Sequence, residues 1–272
     1  MAQNRKIRRV VKSKPTIEGA GVHLKRVFGF HDTRDFDPFL LLDDFRSNEP
    51  RHYLNGFPWH PHRGIETITY VLRGDVEHGD SMGNRGTIAA GDVQWMTAGR
   101  GIIHQEMPKG DRNGSMYGFQ LWANLPKSHK MIDPRYRDVK NDQIPEVELS
   151  NGIKIRVICG KVGDVWGPVR DIVIDPEYLD ITVPAQSELT HITKRGHTVF
   201  AYVIDGKGYF CQEKKPFSYE MEQRGEVDFP KLFQNWSCVI GNIWLARKKK
   251  SAAYFEAKRF GCLGGSFYLG FH

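Results

Sequence analysis

The chain has 272 residues, enough for two β-domains of ordinary size, and its 40% hydrophobic and 12% aromatic content is typical of a folded protein rather than a disordered one. The formal net charge of +7 includes two basic clusters, residues 5–9 and 247–250, but no recognition helix or stacking module accompanies them, so we interpret them as solvated and expect no direct nucleic-acid binding. The four cysteines lie far apart, and neither a signal peptide nor a membrane-spanning apolar run is visible, so we expect a cytoplasmic protein without disulfides.

Short β-segments separated by turns are predicted between Phe57 and Asn124. Ile65 to Leu72 is rich in β-branched residues and ends at the Gly74-Asp75 turn, and Gly118 to Trp122 is a further strand candidate. Strands at such close spacing, with few helical periods, favour an antiparallel barrel or jelly roll. A polar connection then leads to a second strand-rich region from Ile153.

A weak internal repeat relates the two halves of the chain. Residues 60–74 align with residues 192–206 at a constant offset of 132, with matching glycines at the turns. His60 and His62 correspond to Ile192 and Lys194, so the second copy keeps the scaffold residues and lacks the histidines. The repeat predicts two copies of one β-barrel, of which the first carries the chemistry.

Two short motifs supply candidate metal ligands. His60 and His62 are two residues apart, as are His104 and Glu106, and residues two apart on a strand share a face. If both segments face the barrel interior, three imidazoles and one carboxylate converge there, a donor set that suits iron, nickel, copper, manganese or zinc. Four protein ligands on an octahedral ion leave two positions open for dioxygen or a chelating substrate.

Strand parity does not decide on which side of the barrel wall some other polar residues lie. Glu66 has the parity of His60 and His62, so it is open as an alternative ligand or as a residue that orients an imidazole. His78 and Asp80 share a parity as well, but they follow the turn at Gly74, and we predict that they lie at the surface.

The motifs together resemble the pirin family. The resemblance rests on GFPWHPHRGIETITYVLRGDVEHGDSMGN (56–84), GDVQWMTAGRGIIHQEMP (91–108) and GFQLWANLP (118–126), and it extends over roughly residues 5–222. It implies an all-β fold of two cupin (jelly-roll β-barrel) domains: a metal-binding domain at 1–135 and a domain without a metal site at 136–245. Residues 246–272 form an atypical basic and aromatic tail. From about Glu226 the family pattern is lost. The second barrel is therefore expected either to lack strands or to be closed in another way.

The resemblance also implies site residues and activity. The metal ligands are expected to be His60, His62, His104 and Glu106, with Glu66 not a ligand. Some pirin-like proteins resemble quercetin 2,3-dioxygenases, so we expect one divalent metal, Fe(II), with nickel, manganese, copper or zinc as alternatives, and a flavonol as substrate. Glu106 is the first candidate for the catalytic base and Glu66 the second.

The alternative function is regulatory. Other pirins are described as interaction proteins whose metal state tunes binding to a transcription factor or an enzyme, without turnover. Nothing in the sequence shows a surface for such a protein partner. We expect a monomer that does not associate with membranes.

Overall fold

The structure, a computed structural model, describes residues 5–211, 213 and 215–218, together with the backbone of the strands at 238–241, 253–256 and 265–271. Its regular secondary structure is almost entirely β-strand, and the chain divides into two compact units. The first unit is Lys14–Ile144, and the second combines Met1–Ser13 with Pro145–His272. Within the described residues, no helix has the length and apolar character needed to cross a membrane.

Strands are numbered along the chain. The strand β1 (Arg9–Val11) belongs to the second unit. The strands of the first unit are β2 (Lys14–Glu18), β3 (Val22–Phe28), β4 (Phe39–Ser47), β5 (Phe57–His62), β6 (Ile65–Arg73), β7 (Val76–Asp80), β8 (Arg85–Ile88), β9 (Val93–Thr97), β10 (Ile102–Pro108), β11 (Met116–Asn124) and β12 (Arg135–Val139). Its helices are a one-turn α1 (Thr33–Phe36) and 3-10 turns at Phe30–Asp32, Pro50–His52, Lys127–His129 and Asn141–Gln143.

Two antiparallel sheets form the first unit. One has seven strands in the order β12-β9-β6-β11-β4-β3-β2, and the other has four in the order β5-β10-β7-β8. Apolar residues alternate along the strands, so one face of each contributes to a buried cluster. Its members are Val22, Leu24, Phe45, Tyr53, Val71, Val76, Ile88 and Met116.

Gly118 shows how tightly this cluster packs. A Cβ atom at position 118 would lie 2.5 Å from the ring of Phe45 and 2.8 Å from the carbonyl oxygen of Tyr70. The space beside the backbone of β11 is therefore filled by the Phe45 ring.

The second unit contains the remaining strands. They are β13 (Glu146–Glu148), β14 (Lys154–Cys159), β15 (Lys161–Val162), β16 (Val165–Trp166), β17 (Glu177–Val183), β18 (Thr190–Thr193), β19 (Val199–Val203), β20 (Lys207–Gly208), β21 (Phe217–Ser218), β22 (Cys238–Gly241), β23 (Ala253–Glu256) and β24 (Gly265–Phe271). Its main sheet has seven strands in the order β1-β22-β19-β24-β17-β14-β13. Its core is mainly aliphatic and includes Ile155, Leu179, Ile181 and Val203.

The internal repeat corresponds to matching strands and turns. β5 and β6 align at the offset of 132 with β18 and β19. Gly64 and its counterpart Gly196 both have positive φ, 70° and 87°, as do Gly74 (78°) and Gly206 (67°). Glycine populates this conformation without a steric penalty, which explains why these positions match between the two copies.

The division of the chain differs from the predicted boundaries at 135/136 and 245/246. Residue 135 begins β12, which pairs with β9, so the first unit continues to Ile144. β24, inside the predicted tail, pairs with both β17 and β19 within the main sheet of the second unit. The basic cluster at 247–250 suggested an end to regular structure, but backbone pairing resumes after it. The rest of the tail, apart from β23, lies outside the described residues.

Candidate metal centre

Three histidine side chains meet on the inner face of the four-stranded sheet. His60 and His62 lie on β5, and His104 lies opposite His60 on the neighbouring strand β10. One ring nitrogen from each lies within 4.8 Å of the other two, and the Nε2 atoms of His60 and His62 are 3.0 Å apart. Ligands bound at 2.0–2.1 Å to one ion lie about 3 Å apart when they are adjacent. The spacing of the His60 and His62 nitrogens therefore fits one shared cation.

The hydrogen bonds leave lone pairs available for such an ion. A backbone carbonyl only accepts hydrogen bonds, so Nδ1 of His60 donates to the carbonyl oxygen of Pro58, 2.8 Å away. Nε2 of His60, which points toward His62, then carries the lone pair. Both ring nitrogens of His104 are buried without a hydrogen-bond partner. Buried polar atoms are almost always satisfied, and a cation bound to one of these nitrogens would satisfy it.

The electrostatics of the cluster also favour neutral rings. Burial is the main cause, and neighbouring histidines add to it, lowering the pKa of both His62 and His104 to about 3. The two rings are therefore unprotonated at pH 7, the form that binds a cation.

Glu106 lies next to this cluster but is anchored by other groups. Its Oε2 atom is 3.9 Å from Nε2 of His104. Its Oε1 accepts a hydrogen bond from the Thr69 hydroxyl at 2.7 Å, and its Oε2 accepts one from the Gln120 amide at 3.2 Å. Both partners lie on the facing seven-stranded sheet, so that sheet orients the carboxylate that the sequence assigned as the fourth ligand.

Glu66 is not brought to the cluster. It accepts a hydrogen bond from the Thr97 hydroxyl at 2.8 Å, and it lies an odd number of residues from Thr69 on β6, so the two occupy opposite faces. Burial raises the pKa of Glu66, and the hydrogen bond from Thr97 only partly offsets it. Parity counted from His62 left this residue undecided, and the count does not carry across Gly64, whose positive φ separates β5 from β6.

The prediction that His78 and Asp80 lie at the surface is wrong. Each is 5% exposed, because β7 pairs with β10 and sets His78 opposite Glu106 and Asp80 opposite His104. Residues directly opposite in an antiparallel pair share a face, so both point to the inside. Nδ1 of His78 lies 3.0 Å from the hydroxyl of Tyr136.

A row of polar side chains crosses the seven-stranded sheet behind Glu106. Direct cross-strand partners place its members side by side on six neighbouring strands. We call this set the polar row: Arg26, Asp43, Gln120, Thr69, Gln94 and Asp138. It was not predicted from the sequence, because the members come from six separate segments and only the strand register aligns them.

His60, His62 and four of the six members of the polar row line one cavity of about 460 Å³. His60, His62 and Glu106 lie at one end of it, and aromatic side chains cover much of the wall. Trp122 is among them, its ring centroid 5.0 Å from that of His62. The site is thus a largely apolar chamber with two imidazoles and a carboxylate at one end, a form typical of small-molecule sites.

Comparison with known proteins identifies the family. The sequence model of the pirin family matches residues 21–123. A Pseudomonas aeruginosa protein named "Putative quercetin 2,3-dioxygenase" is 43% identical over 210 residues, which cover 76% of this chain and 73% of that protein. The chain belongs to the pirin family. A pirin-like protein of Caulobacter vibrioides is similarly close, at 42% identity over 75% of this chain and 74% of its own length.

Solved structures agree with the all-β fold. The crystal structure of a quercetin 2,3-dioxygenase from Acinetobacter baumannii has a TM-score of 0.77 at 25% identity, covering 98% of this chain and 86% of that one. The nickel(II) complex of the bacterial pirin YhhW from Escherichia coli has a TM-score of 0.64 at 20% identity, covering 97% of both chains, and shows the fold alone. The predicted all-β double-cupin fold is confirmed.

Proposed function

We propose that this pirin is a metal-dependent dioxygenase of the quercetin 2,3-dioxygenase type. It would hold one divalent cation on His60, His62, His104 and Glu106 and act on a flavonol. The observation that carries the proposal is the cluster of three imidazoles, with one ring nitrogen from each within 4.8 Å of the others, of which His60 and His62 line an aromatic-walled cavity.

The residues fit a divalent cation. The orphaned nitrogens of His104 and the 3.0 Å separation of the His60 and His62 Nε2 atoms suit shared coordination, and three nitrogens with one carboxylate suit a first-row transition metal. We expect Fe(II), while nickel, manganese, copper and zinc fit the same donors. When bound, such a metal would bind the adjacent hydroxyl and carbonyl oxygens of a flavonol and acidify the hydroxyl.

The protein's own groups orient the site and handle the proton. The Pro58 carbonyl fixes the tautomer of His60, and Thr69 and Gln120 hold the two oxygens of Glu106. Glu106 Oε1 or Oε2 is the candidate acceptor of the flavonol hydroxyl proton, as the carboxylate nearest the cluster. Glu66, on the opposite face of β6, is not assigned this role.

The cavity wall supports an aromatic substrate. Phe45, Phe57 and Trp122 line the chamber and can exclude water around a flat ring system. The names of the Pseudomonas and Acinetobacter relatives point to the same substrate class. A cytoplasmic location, expected from the sequence, is part of this proposal.

The test is oxygen uptake by protein loaded anaerobically with Fe(II), in the presence of a flavonol panel. Consumption of quercetin that requires dioxygen and disappears in His104→Ala supports the proposal. His31→Ala serves as the matched control, because His31 is exposed and outside the cavity. Fully loaded protein that consumes no flavonol would refute it and favour a regulatory protein without turnover.

A further inference from the structure

The cavity has a second polar end, remote from the histidines. It consists of Glu18, Arg26 and Asp43, which we call the distal end, and all three line the same chamber. Arg26 donates to both oxygens of Asp43, at 2.9 and 2.7 Å, and to Oε1 of Glu18 at 2.9 Å. The guanidinium thus fixes the positions of two carboxylates.

The polar row gives the spacing between the two ends. Gln120 contacts Glu106, Asp43 is its direct partner on the next strand, and Arg26 is the partner of Asp43 on the strand beyond. Neighbouring strands are about 4.8 Å apart, so the distal end begins about 5 Å from Gln120 and extends to about 10 Å.

Apolar side chains lie on both sides of this row. The strand register puts Phe45 and Leu24 on one side of it and the cross-strand partners Leu41 and Trp122 on the other, and all four line the cavity. A flat aromatic molecule lying along the row would contact apolar groups on its faces and polar groups at its two ends.

The charges decide what the distal end would bind. Two carboxylates and one guanidinium leave a net negative charge, which disfavours an anionic ligand. A carboxylate has about four acceptor positions, and Arg26 occupies two on Asp43 and one on Glu18. Acceptor positions therefore remain for a ligand that donates hydrogen bonds.

We propose that Asp43 and Glu18 determine substrate specificity by accepting hydrogen bonds from a hydroxyl group at the end of the substrate remote from the metal. The substrate is then an aromatic compound with a chelating oxygen pair at one end and a hydroxyl donor at the other, and its carboxylated analogues are rejected. This inference rests on the proposed function, because it takes the histidine end as the anchor.

The burial of Asp43 agrees with this role. Asp43 is 4% exposed, and burial raises its pKa to about 6 although the hydrogen bonds from Arg26 pull it down. The carboxylate is therefore incompletely solvated by its protein partners. A ligand hydroxyl would supply an additional donor to it.

The experiment measures the binding of three probes to Fe(II)-loaded protein without dioxygen, by titration calorimetry. The probes are 3-hydroxyflavone, a derivative with one added hydroxyl on the pendant or the fused ring, and the matching carboxylate. We expect one hydroxylated derivative to bind at least about tenfold more tightly than 3-hydroxyflavone, the ratio that one hydrogen bond to a charged group supports. The carboxylate is expected to bind more weakly than both.

The variants Asp43→Asn and Glu18→Gln separate recognition from a structural role. Each should reduce the preference for the hydroxylated probe several-fold and leave the affinity for 3-hydroxyflavone within about twofold. Glu77→Gln is the control for the loss of one charge, because Glu77 is an exposed acid outside the cavity. It should change neither the preference for the hydroxylated probe nor the affinity for 3-hydroxyflavone. A variant that unfolds at lower temperature but keeps the wild-type preference assigns the ion pairs to stability alone and overturns the inference.

The remaining outcomes distinguish the two proposals. Equal affinity of wild-type protein for all three probes overturns the distal-end inference and leaves the metal end intact. Failure of 3-hydroxyflavone and its derivatives to bind overturns both the proposed function and this inference.

Discussion

The metal-free protein should lose stability in mild acid because of two buried imidazoles. His62 is 8% exposed and His104 is fully buried, and both have a pKa lowered from 6.5 to about 3, chiefly by burial. Below pH 6.5 the unfolded chain binds protons at these positions and the folded chain does not. Folding stability therefore falls as pH decreases from 6.5 toward 3.

The two pKa values set the size of the effect. At pH 5 each imidazole that stays neutral in the folded state lowers the free energy of unfolding by about 2 kcal/mol relative to pH 8. His62 and His104 together account for about 4 kcal/mol, a large part of the stability of an ordinary domain.

Urea unfolding of chelator-treated protein at pH 8, 6.5 and 5, followed by tryptophan fluorescence, measures this dependence. His62→Gln and His104→Gln should each remove about half of it, because an amide does not titrate. His31→Gln, at an exposed position, controls for the loss of one histidine. Identical pH slopes for wild type and both cluster variants, or NMR titration of the two rings near pH 6.5, would refute the reasoning.

Three further outcomes are expected. Metal analysis of loaded protein should give one ion per chain, falling to near zero in His60→Ala, and a stoichiometry near two would contradict a site confined to the first unit. Gly118→Ala should lower the free energy of unfolding by about 1–3 kcal/mol, because its methyl group would overlap the Phe45 ring, and unchanged thermal unfolding would contradict that packing. The protonated carboxyl of Asp43 stabilises the fold below about pH 4, and this contribution, about 3 kcal/mol, is lost as pH rises through about 6. In urea titrations between about pH 4 and 6, the free energy of unfolding of Asp43→Asn should therefore fall less with rising pH than that of the wild type. Parallel pH profiles for the two proteins would rule the effect out.

Odd or even spacing in the sequence predicts which residues share a strand face within one continuous strand, but not across a turn. It placed His60 with His62 on β5, and His104 with Glu106 on β10, because each pair lies inside one strand. It left Glu66 undecided, because the Gly64 turn resets the alternation between β5 and β6.

Features that depend on strand pairing were beyond the sequence. The inward position of His78 follows from the pairing of β7 with β10. The polar row needs the register of six strands at once, and no local pattern around Gln120 or Asp43 indicates which residues lie beside them. The pairing of β24 with β17 and β19 was likewise missed, since backbone hydrogen bonds do not require the regular composition that the prediction demanded.

The alignment of the polar row by register has a consequence for how such a site can change during evolution. A substitution within the row alters one group and leaves its neighbours in place. A single inserted residue in β11 before Gln120 would instead shift every later side chain to the opposite face of the sheet, moving Gln120 out of the chamber and Phe119 or Leu121 into it. Related sequences that keep this chemistry should therefore tolerate length changes in the connecting loops but not inside β4, β6 or β11.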